Sequence, residues 1–306
     1  MRPAFRRGFE GTKQTDMASY TYDLSGFLTV ESEFELSLFD APPRSSESEA
    51  DIVVRRGGED APAVEWTDRR AAVTVPPSMT VEKDDAAEPV RFTKLLLSAV
   101  QALLLRRRAT LAFGSAFRAP DGSGVGLFGP SGCGKSAASF RLARERGYRL
   151  LADDLLVFHD GRVYPFPRYL NLPRDVPAVE RWLRSEGAST DRVRLWPDAA
   201  DVPRRSVTER VPERTELDEV LVVAPRDSPA GSPEPIPSED AAATLIDLVD
   251  ESLAGWITEP RTREAIDDRG VDRGPILRSA VTRAACYRLE TPRSDLARSV
   301  AEFVER

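Results

Sequence analysis

Residues 129–136 read Gly129-Pro130-Ser131-Gly132-Cys133-Gly134-Lys135-Ser136, which is a complete G-x-x-x-x-G-K-S phosphate-binding loop. An apolar run at 125–128 precedes the loop, and a segment with helical character at 136–146 follows it. This is the context that such a loop requires, because its backbone amides and the positive end of the next helix face the same anion. The sequence therefore predicts that these residues bind a nucleoside triphosphate.

Each part of the loop has an expected chemical role. The glycines let successive backbone N–H groups turn inward, Lys135 reaches the β- and γ-phosphate oxygens, and the Ser136 hydroxyl ligates Mg²⁺. ATP and Mg²⁺ are the expected cofactors. We predict that the nucleotide is bound by Gly129, Pro130, Ser131, Gly132, Cys133, Gly134, Lys135, Ser136 and Ala137.

Two adjacent carboxylates follow the predicted helix. Asp153 and Asp154 lie inside the apolar run 150–158, which is long enough for a buried strand. Desolvated carboxylates persist only when they are paired, hydrogen-bonded or bound to a metal, and P-loop enzymes hold Mg²⁺ with an Asp close to the phosphate loop. On one continuous strand the two side chains point to opposite faces and have different roles, unless the strand ends or bulges between them.

These stretches resemble the catalytic half of the HPr kinase/phosphorylase family. The resemblance includes the loop, its helix and residues 146–154, which read Arg-Gly-Tyr-Arg-Leu-Leu-Ala-Asp-Asp. Residues 109–117 with Asp121-Gly122 are similar to the family's strand-turn-strand lead-in. Residues 165–173, Pro-Phe-Pro-Arg-Tyr-Leu-Asn-Leu-Pro, are similar to the stretch after the double Asp in kinase-like relatives. The match covers residues 103–173 specifically and the remainder in general pattern.

The resemblance implies an α/β fold with a P-loop kinase core of the HPr kinase/phosphoenolpyruvate carboxykinase type, preceded by a small β-rich region. It also implies an ATP- and Mg²⁺-dependent enzyme that phosphorylates a serine hydroxyl of a protein. By this likeness Asp153 is the catalytic base, Asp154 and Ser136 hold Mg²⁺, and Lys135 neutralises the transferring phosphoryl group. Phosphoryl transfer needs such positioning and charge neutralisation more than covalent catalysis.

Two positions depart from the closest members of that family. Phe113 stands where they carry a His in the lead-in strand, and Ala137 stands where they carry a Glu. The single histidine, His159, precedes Asp160-Gly161, a hairpin signal, and is expected at the edge of a turn. Because Phe neither donates nor accepts a proton, we expect phosphorylation without phosphorylase activity.

A chain of 306 residues usually forms two domains. Short β-type runs are expected at 20–30, 34–39, 51–55, 64–66 and 71–75, and the apolar spacing of residues 91–108 predicts an amphipathic helix. We predict a disordered tail at 1–18, a β-rich N-terminal domain at 19–90 and a P-loop domain at 91–306.

The composition narrows the class of protein. A net charge of −7 argues against a nucleic-acid partner. With 41% apolar residues and no long uninterrupted apolar window, the chain has no expected membrane span. The first sixteen residues are basic but lack the apolar core of a signal peptide, and the two cysteines have no metal or disulfide spacing. We expect a cytoplasmic protein, and a homo-oligomer is compatible with the sequence.

Three functions remain open from the sequence. The favoured one is a kinase that acts on a serine or threonine hydroxyl of a protein or peptide. The second is a nucleotide-responsive binding module that has lost transfer, which Phe113 and the absence of an assignable transition-state arginine support. The third is a P-loop kinase of a small metabolite. The acceptor has no transferable signature in sequence.

Overall fold

A computed structural model describes residues 20–36, 38–40, 49–57, 63–67, 69–77, 87–173, 176–186, 199–208, 213–227, 231–254 and 272–305. The predicted tail at 1–18 lies outside these residues. The chain is a mixed α/β protein, in agreement with the predicted fold class. None of the described helices combines the length and apolar character that crossing a bilayer requires.

The described residues form sixteen short strands and seven helices. The strands are β1 (Tyr20–Leu24), β2 (Leu28–Ser32), β3 (Ile52–Arg56), β4 (Ala63–Trp66), β5 (Ala71–Val75), β6 (Ala109–Phe113), β7 (Ser115–Arg118), β8 (Gly124–Phe128), β9 (Arg149–Ala152), β10 (Leu155–His159), β11 (Arg162–Pro165), β12 (Leu170–Pro173), β13 (Ala199–Val202), β14 (Glu219–Pro225), β15 (Glu234–Pro235) and β16 (Ala285–Thr291). The helices are α1 (Ala87–Arg106), α2 (Lys135–Glu145), α3 (Pro177–Glu186), α4 (Arg204–Val207), α5 (Ser238–Ala254), α6 (Gly274–Val281) and α7 (Leu296–Val304).

The first five strands form one sheet in the order β1-β2-β3-β5-β4, with parallel pairs at its centre and antiparallel pairs at its edges. Its buried face, which includes Val30, Ile52 and Val73, packs in one core with α1. The same core contains Leu111 of β6 and Leu155 of β10. The N-terminal sheet therefore shares one hydrophobic core with α1, β6 and β10, and the boundary at residue 90 stays a prediction.

The amphipathic helix expected at 91–108 is confirmed as α1, which begins earlier and ends at Arg106. Its predicted apolar face is buried throughout, and it consists of Phe92, Leu95, Leu96, Val100, Leu103 and Leu104. The helix ends where Arg108 takes a left-handed φ of 53°, and the chain turns directly into β6.

Two of the expected N-terminal strands differ from the structure. The run 20–30 is two strands, because a tight turn at Gly26, with φ of 78°, folds the chain back on itself. The strand expected at 34–39 is wrong for the residues described there: Phe39 makes only an isolated bridge, to Arg168. The apolar side chains of this stretch are buried by packing rather than by strand pairing.

The largest sheet has the order β15-β16-β14-β8-β7-β9. Strands β8, β14 and β16 are mutually parallel neighbours, whereas β7, β9 and β15 run antiparallel to the strands beside them. The phosphate loop leaves the carboxyl end of β8, which is the edge where ligands bind in open α/β sheets. Apolar clusters cover both faces of this sheet, so β8 is buried throughout.

Two stretches of chain pass between sheets at the same place. Strands β6, β10 and β11 form a separate three-stranded antiparallel sheet. Gly114 joins β6 of this sheet to β7 of the large sheet, and Asp153 with Asp154 joins β9 of the large sheet to β10. The Gly114 N–H donates to the Asp154 carbonyl oxygen at 3.2 Å. The continuous strand expected at 150–158 is therefore wrong: Asp154 has a left-handed φ of 72°, which ends strand geometry between Ala152 and Leu155.

Replacement of Gly114 tests this crossing point. A Cβ on Gly114 would lie 2.5 Å from Cδ1 of Phe128, whose ring is buried at the end of β8. Because the ring has to move, we expect Gly114→Ala to lower the free energy of unfolding by about 1–3 kcal/mol in urea titrations. Gly231→Ala is the control, since among the described residues the atom nearest to a Cβ at Gly231 would be 4.0 Å away. Equal stability of the two variants would contradict the crowding at Gly114.

Candidate functional site

The phosphate loop has a backbone shaped for an anion. Gly132 and Gly134 have φ values of 75° and 100°, which glycine adopts without a steric cost. Helix α2 begins at Lys135, and no side chain caps its first amides. Uncapped amides at a helix N-terminus carry a partial positive charge and are the usual donors to bound phosphate.

Lys135 lies across this loop. Its Nζ donates to the carbonyl oxygens of Gly129 at 2.8 Å and Pro130 at 2.9 Å, and lies 3.6 Å from Sγ of the buried Cys133. The ammonium group is thus held at the loop by backbone oxygens rather than by a carboxylate. Its charge is available to an anion that enters the loop.

Asp153 is the most enclosed carboxylate of the site, with 3% of its surface exposed. The Ser115 hydroxyl donates to Oδ1, and Ser139 Oγ lies 2.9 Å from the same oxygen. Ser139 Oγ is also 2.8 Å from the carbonyl oxygen of Lys135, so its single proton serves one acceptor at a time. Among the described residues Oδ2 of Asp153 is buried with no hydrogen-bond partner.

Burial raises the pKa of Asp153 above its ordinary value, and the neighbouring charge of Asp154 acts in the same direction. Hydrogen bonding from the Ser115, Ser136 and Ser139 hydroxyls opposes that rise. A carboxylate with a raised pKa and an unoccupied oxygen is suited to accept a proton, because proton transfer is most efficient when the pKa of the base approaches the working pH.

Asp154 has a different environment, although it is adjacent in sequence. Its side chain is about one-third exposed, and its Oδ2 pairs with Nη1 of Arg168, which is almost fully buried. Sequence reasoning included Arg168 in the resembling stretch 165–173 but gave it no role. Its position within a Pro-rich, apolar stretch was the available signal, since a lone arginine there needs a buried partner.

The oxygen donors of the site fit Mg²⁺. This cation takes oxygen ligands, keeps several waters and is commonly bound by one or two protein groups with substrate phosphates. Ser136 lies in the first turn of α2, close to the carboxylate of Asp153, and Asp154 has a second oxygen besides the one that Arg168 engages. Ser136 and Asp154 are therefore the residues that could hold the metal.

Arg293 is a further cation at the loop, and sequence reasoning missed it. Its Nη2 lies 3.7 Å from where a Cβ of Gly132 would stand, and its Cα lies 3.4 Å from the same point on Gly134. Arg141 Nη1 donates to the Ser294 carbonyl oxygen at 3.3 Å, which holds this turn against α2. The pairing of β16 with β14 brings the turn here, and no local sequence pattern indicates that pairing.

Phe113 and the single histidine, His159, lie at opposite ends of the three-stranded sheet. Phe113 pairs with Leu155 beside the Asp pair and is partly buried. His159 closes β10 at the other end, where its Nδ1 is 3.1 Å from the carbonyl oxygen of Arg108. The expectation that His159 lies at the edge of a turn is confirmed.

Comparison with known proteins gives a distant likeness. The chain matches no protein-family model and no curated protein. It is similar to the structure of the Hpr(Ser) kinase/phosphatase from Coxiella burnetii, with 14% sequence identity, a TM-score of 0.31, and coverage of 64% of this chain and 94% of that chain.

The burial of Asp153 predicts a stability effect. Because its pKa is raised in the folded protein, the stability associated with this group is complete below the ordinary carboxyl pKa and is lost as pH rises through the raised value. We expect Asp153→Asn to raise the melting temperature by a few degrees near neutral pH, since about 1 kcal/mol shifts it by roughly 2–4 °C in a domain of this size. The difference from the parent should vanish in acid.

Asp121→Asn is the matched control for this prediction. Hydrogen bonds from the Ser123 N–H and hydroxyl lower the pKa of Asp121, so its contribution to stability has the opposite sign and is lost as pH falls. Its substitution should not raise the melting temperature. If Asp153→Asn melts below the parent at neutral pH, Asp153 is not a carboxylate destabilised by desolvation.

Proposed function

We propose that the protein is an ATP- and Mg²⁺-dependent phosphotransferase, which transfers the γ-phosphoryl group to a serine or threonine hydroxyl of a protein or peptide. In this proposal Asp153 is the base, Lys135 and the loop amides bind the phosphates, and Ser136 with Asp154 holds Mg²⁺. A cytoplasmic location and the HPr-kinase-like class are parts of the same proposal.

The observation that carries the proposal is Asp153 Oδ2. A buried carboxylate oxygen without a partner is expensive and persists in proteins chiefly where function needs it. Ser136, in the first turn of α2, lies beside the same carboxylate. A phosphate-binding loop and a proton acceptor in one place are what phosphoryl transfer to a hydroxyl needs.

The proposed step transfers the γ-phosphoryl group of ATP to the acceptor hydroxyl. Mg²⁺ held by Ser136 and Asp154 would neutralise the charge that develops on the phosphoryl oxygens. The acceptor oxygen forms a bond to the γ-phosphorus, the bond from that phosphorus to the bridging oxygen breaks, and ADP leaves. Asp153 Oδ2 takes the hydroxyl proton while Ser115 and Ser139 hold Oδ1 in place. Lys135 stabilises the phosphate oxygens electrostatically.

Label transfer from γ-phosphate-labelled ATP to proteins of a lysate tests the proposal. We expect Asp153→Asn to lower transfer by at least about 100-fold, the lower range for a general base, with little change in ATP affinity. Asp154→Asn should instead raise the Mg²⁺ concentration required. Loss of Mg·ATP affinity to the same extent in both variants would contradict this division of roles. Absence of label transfer by the parent protein would contradict the proposed phosphotransferase activity.

A second function is favoured by one observation. Phe113, which neither donates nor accepts a proton, pairs with Leu155 beside the Asp pair. A nucleotide-responsive binding module that has lost transfer would tolerate an apolar side chain at this place. ATP binding by the parent without label transfer to any protein would favour that function over the kinase.

Arg293 gives a separate prediction for nucleotide binding. Its guanidinium is exposed beside Gly132, so Arg293→Ala removes a cation from the entrance of the loop. We expect ATP affinity in calorimetry to fall on the order of tenfold, which is the scale of one charged hydrogen bond at a partly solvated site. Arg283→Ala is the control, because Arg283 is exposed before the opposite end of β16. Equal affinities of the two variants would contradict a role for Arg293.

A further inference from the structure

Arg168 is buried to an unusual degree for a permanently charged side chain. It is 4% exposed, its Nη1 pairs with Oδ2 of Asp154, and its backbone N–H donates to the Phe166 carbonyl oxygen at 2.8 Å. Arginine is almost never buried to this extent unless it is paired, and removal of one partner leaves an uncompensated charge. Arg168 and Asp154 therefore fix each other's position.

The 38–40 segment of the N-terminal region holds Arg168 in place. Phe39 forms an antiparallel bridge with Arg168, and the Asp40 N–H donates to the Pro167 carbonyl oxygen at 2.9 Å. These two backbone contacts join stretches that are far apart in sequence. The backbone that presents the guanidinium is thus fastened to the N-terminal region.

Tyr22 of β1 connects this segment to the N-terminal sheet. The Tyr22 and Phe39 ring centroids are 5.0 Å apart, and the Tyr22 hydroxyl accepts the Leu36 N–H at 2.8 Å. All three residues are buried. A continuous series of contacts therefore runs from β1 through the 38–40 segment and Arg168 to the carboxylate of Asp154.

We propose that Arg168 is a positioning residue for Asp154, and that the N-terminal sheet sets the Mg²⁺ affinity of the nucleotide site through the 38–40 segment. This inference rests on the proposed function. Asp154 lies in the break between β9 and β10 with a left-handed φ of 72°, so strand pairing does not orient its side chain. Arg168 engages Oδ2 and leaves Oδ1 for the metal, as outer partners of ligating carboxylates do.

The test measures the Mg²⁺ concentration that gives half of the maximal ATP affinity, by calorimetry on the full chain. We expect Arg168→Gln to raise it by about 10–100-fold, the usual effect of removing an outer partner of a metal ligand. ATP affinity in the presence of a chelator should stay the same. Arg149→Gln, at an exposed position of β9, is the control and should match the parent. An unchanged or lower Mg²⁺ requirement in Arg168→Gln would overturn the inference.

A second variant leaves Arg168 in place, so the inference can be tested even if Arg168→Gln does not fold. Tyr22→Phe removes only the hydroxyl that accepts the Leu36 N–H, and should raise the Mg²⁺ requirement in the same direction by a smaller factor. Tyr20→Phe on the same strand is the matched control. If Tyr22→Phe and Tyr20→Phe have equal Mg²⁺ requirements, the role of the N-terminal sheet is overturned.

The Mg²⁺ requirement of the double variant at Arg168 and Asp154 distinguishes a failure of this inference from a failure of the proposed function. Arg168→Gln should add nothing to the Mg²⁺ requirement of Asp154→Asn if it acts only through that carboxylate, whereas additive effects would overturn a positioning role. A parent protein that does not bind ATP would overturn both the proposed function and the inference. A parent with Mg²⁺-dependent binding and an unshifted Arg168→Gln would overturn the inference alone.

Discussion

The site depends on the place where two stretches of chain cross between sheets. Gly114 joins β6 to β7. This position requires glycine, because a side chain there would collide with the buried ring of Phe128. The Gly114 N–H donates to the Asp154 carbonyl oxygen, so the stretch that joins β9 to β10 is held beside the one that joins β6 to β7. This backbone contact ends β9 before Asp153 and starts β10 after Asp154. Two adjacent carboxylates are thus released from strand geometry beside the phosphate loop, and each acquires its own surroundings.

The surroundings of the two carboxylates explain their different properties. Asp153 is desolvated and keeps one oxygen without a partner, whereas Asp154 is half-buried and paired with Arg168. A folded protein maintains such a strained or unsatisfied group only when the rest of the structure stabilises it, and here the cores on both sides of the large sheet do so. Local instability at the site is the expected consequence of keeping a carboxylate away from water.

Local patterns in the sequence were sufficient for α1 and for the mixed α/β class. They failed at 150–158, where an apolar run that favours a single strand is interrupted by a left-handed backbone at Asp154. They also gave no role to Arg168 and Arg293, which reach the site only through pairing of segments distant in sequence. Hydrophobic periodicity reports which face of an element is buried, but it does not report which strands become neighbours. The contacts that complete the site are therefore the ones that a single sequence leaves undetermined.

A crystal structure of the protein with Mg²⁺ and a non-hydrolysable ATP analogue tests the proposed site most directly. We expect the phosphates on the amides of residues 129–136 and Mg²⁺ between the Ser136 hydroxyl and Asp154. We also expect Oδ2 of Asp153 to face the γ-phosphate without binding the metal, while Arg168 stays paired with Asp154. A nucleotide bound elsewhere, or Mg²⁺ coordinated by Asp153, would contradict these roles.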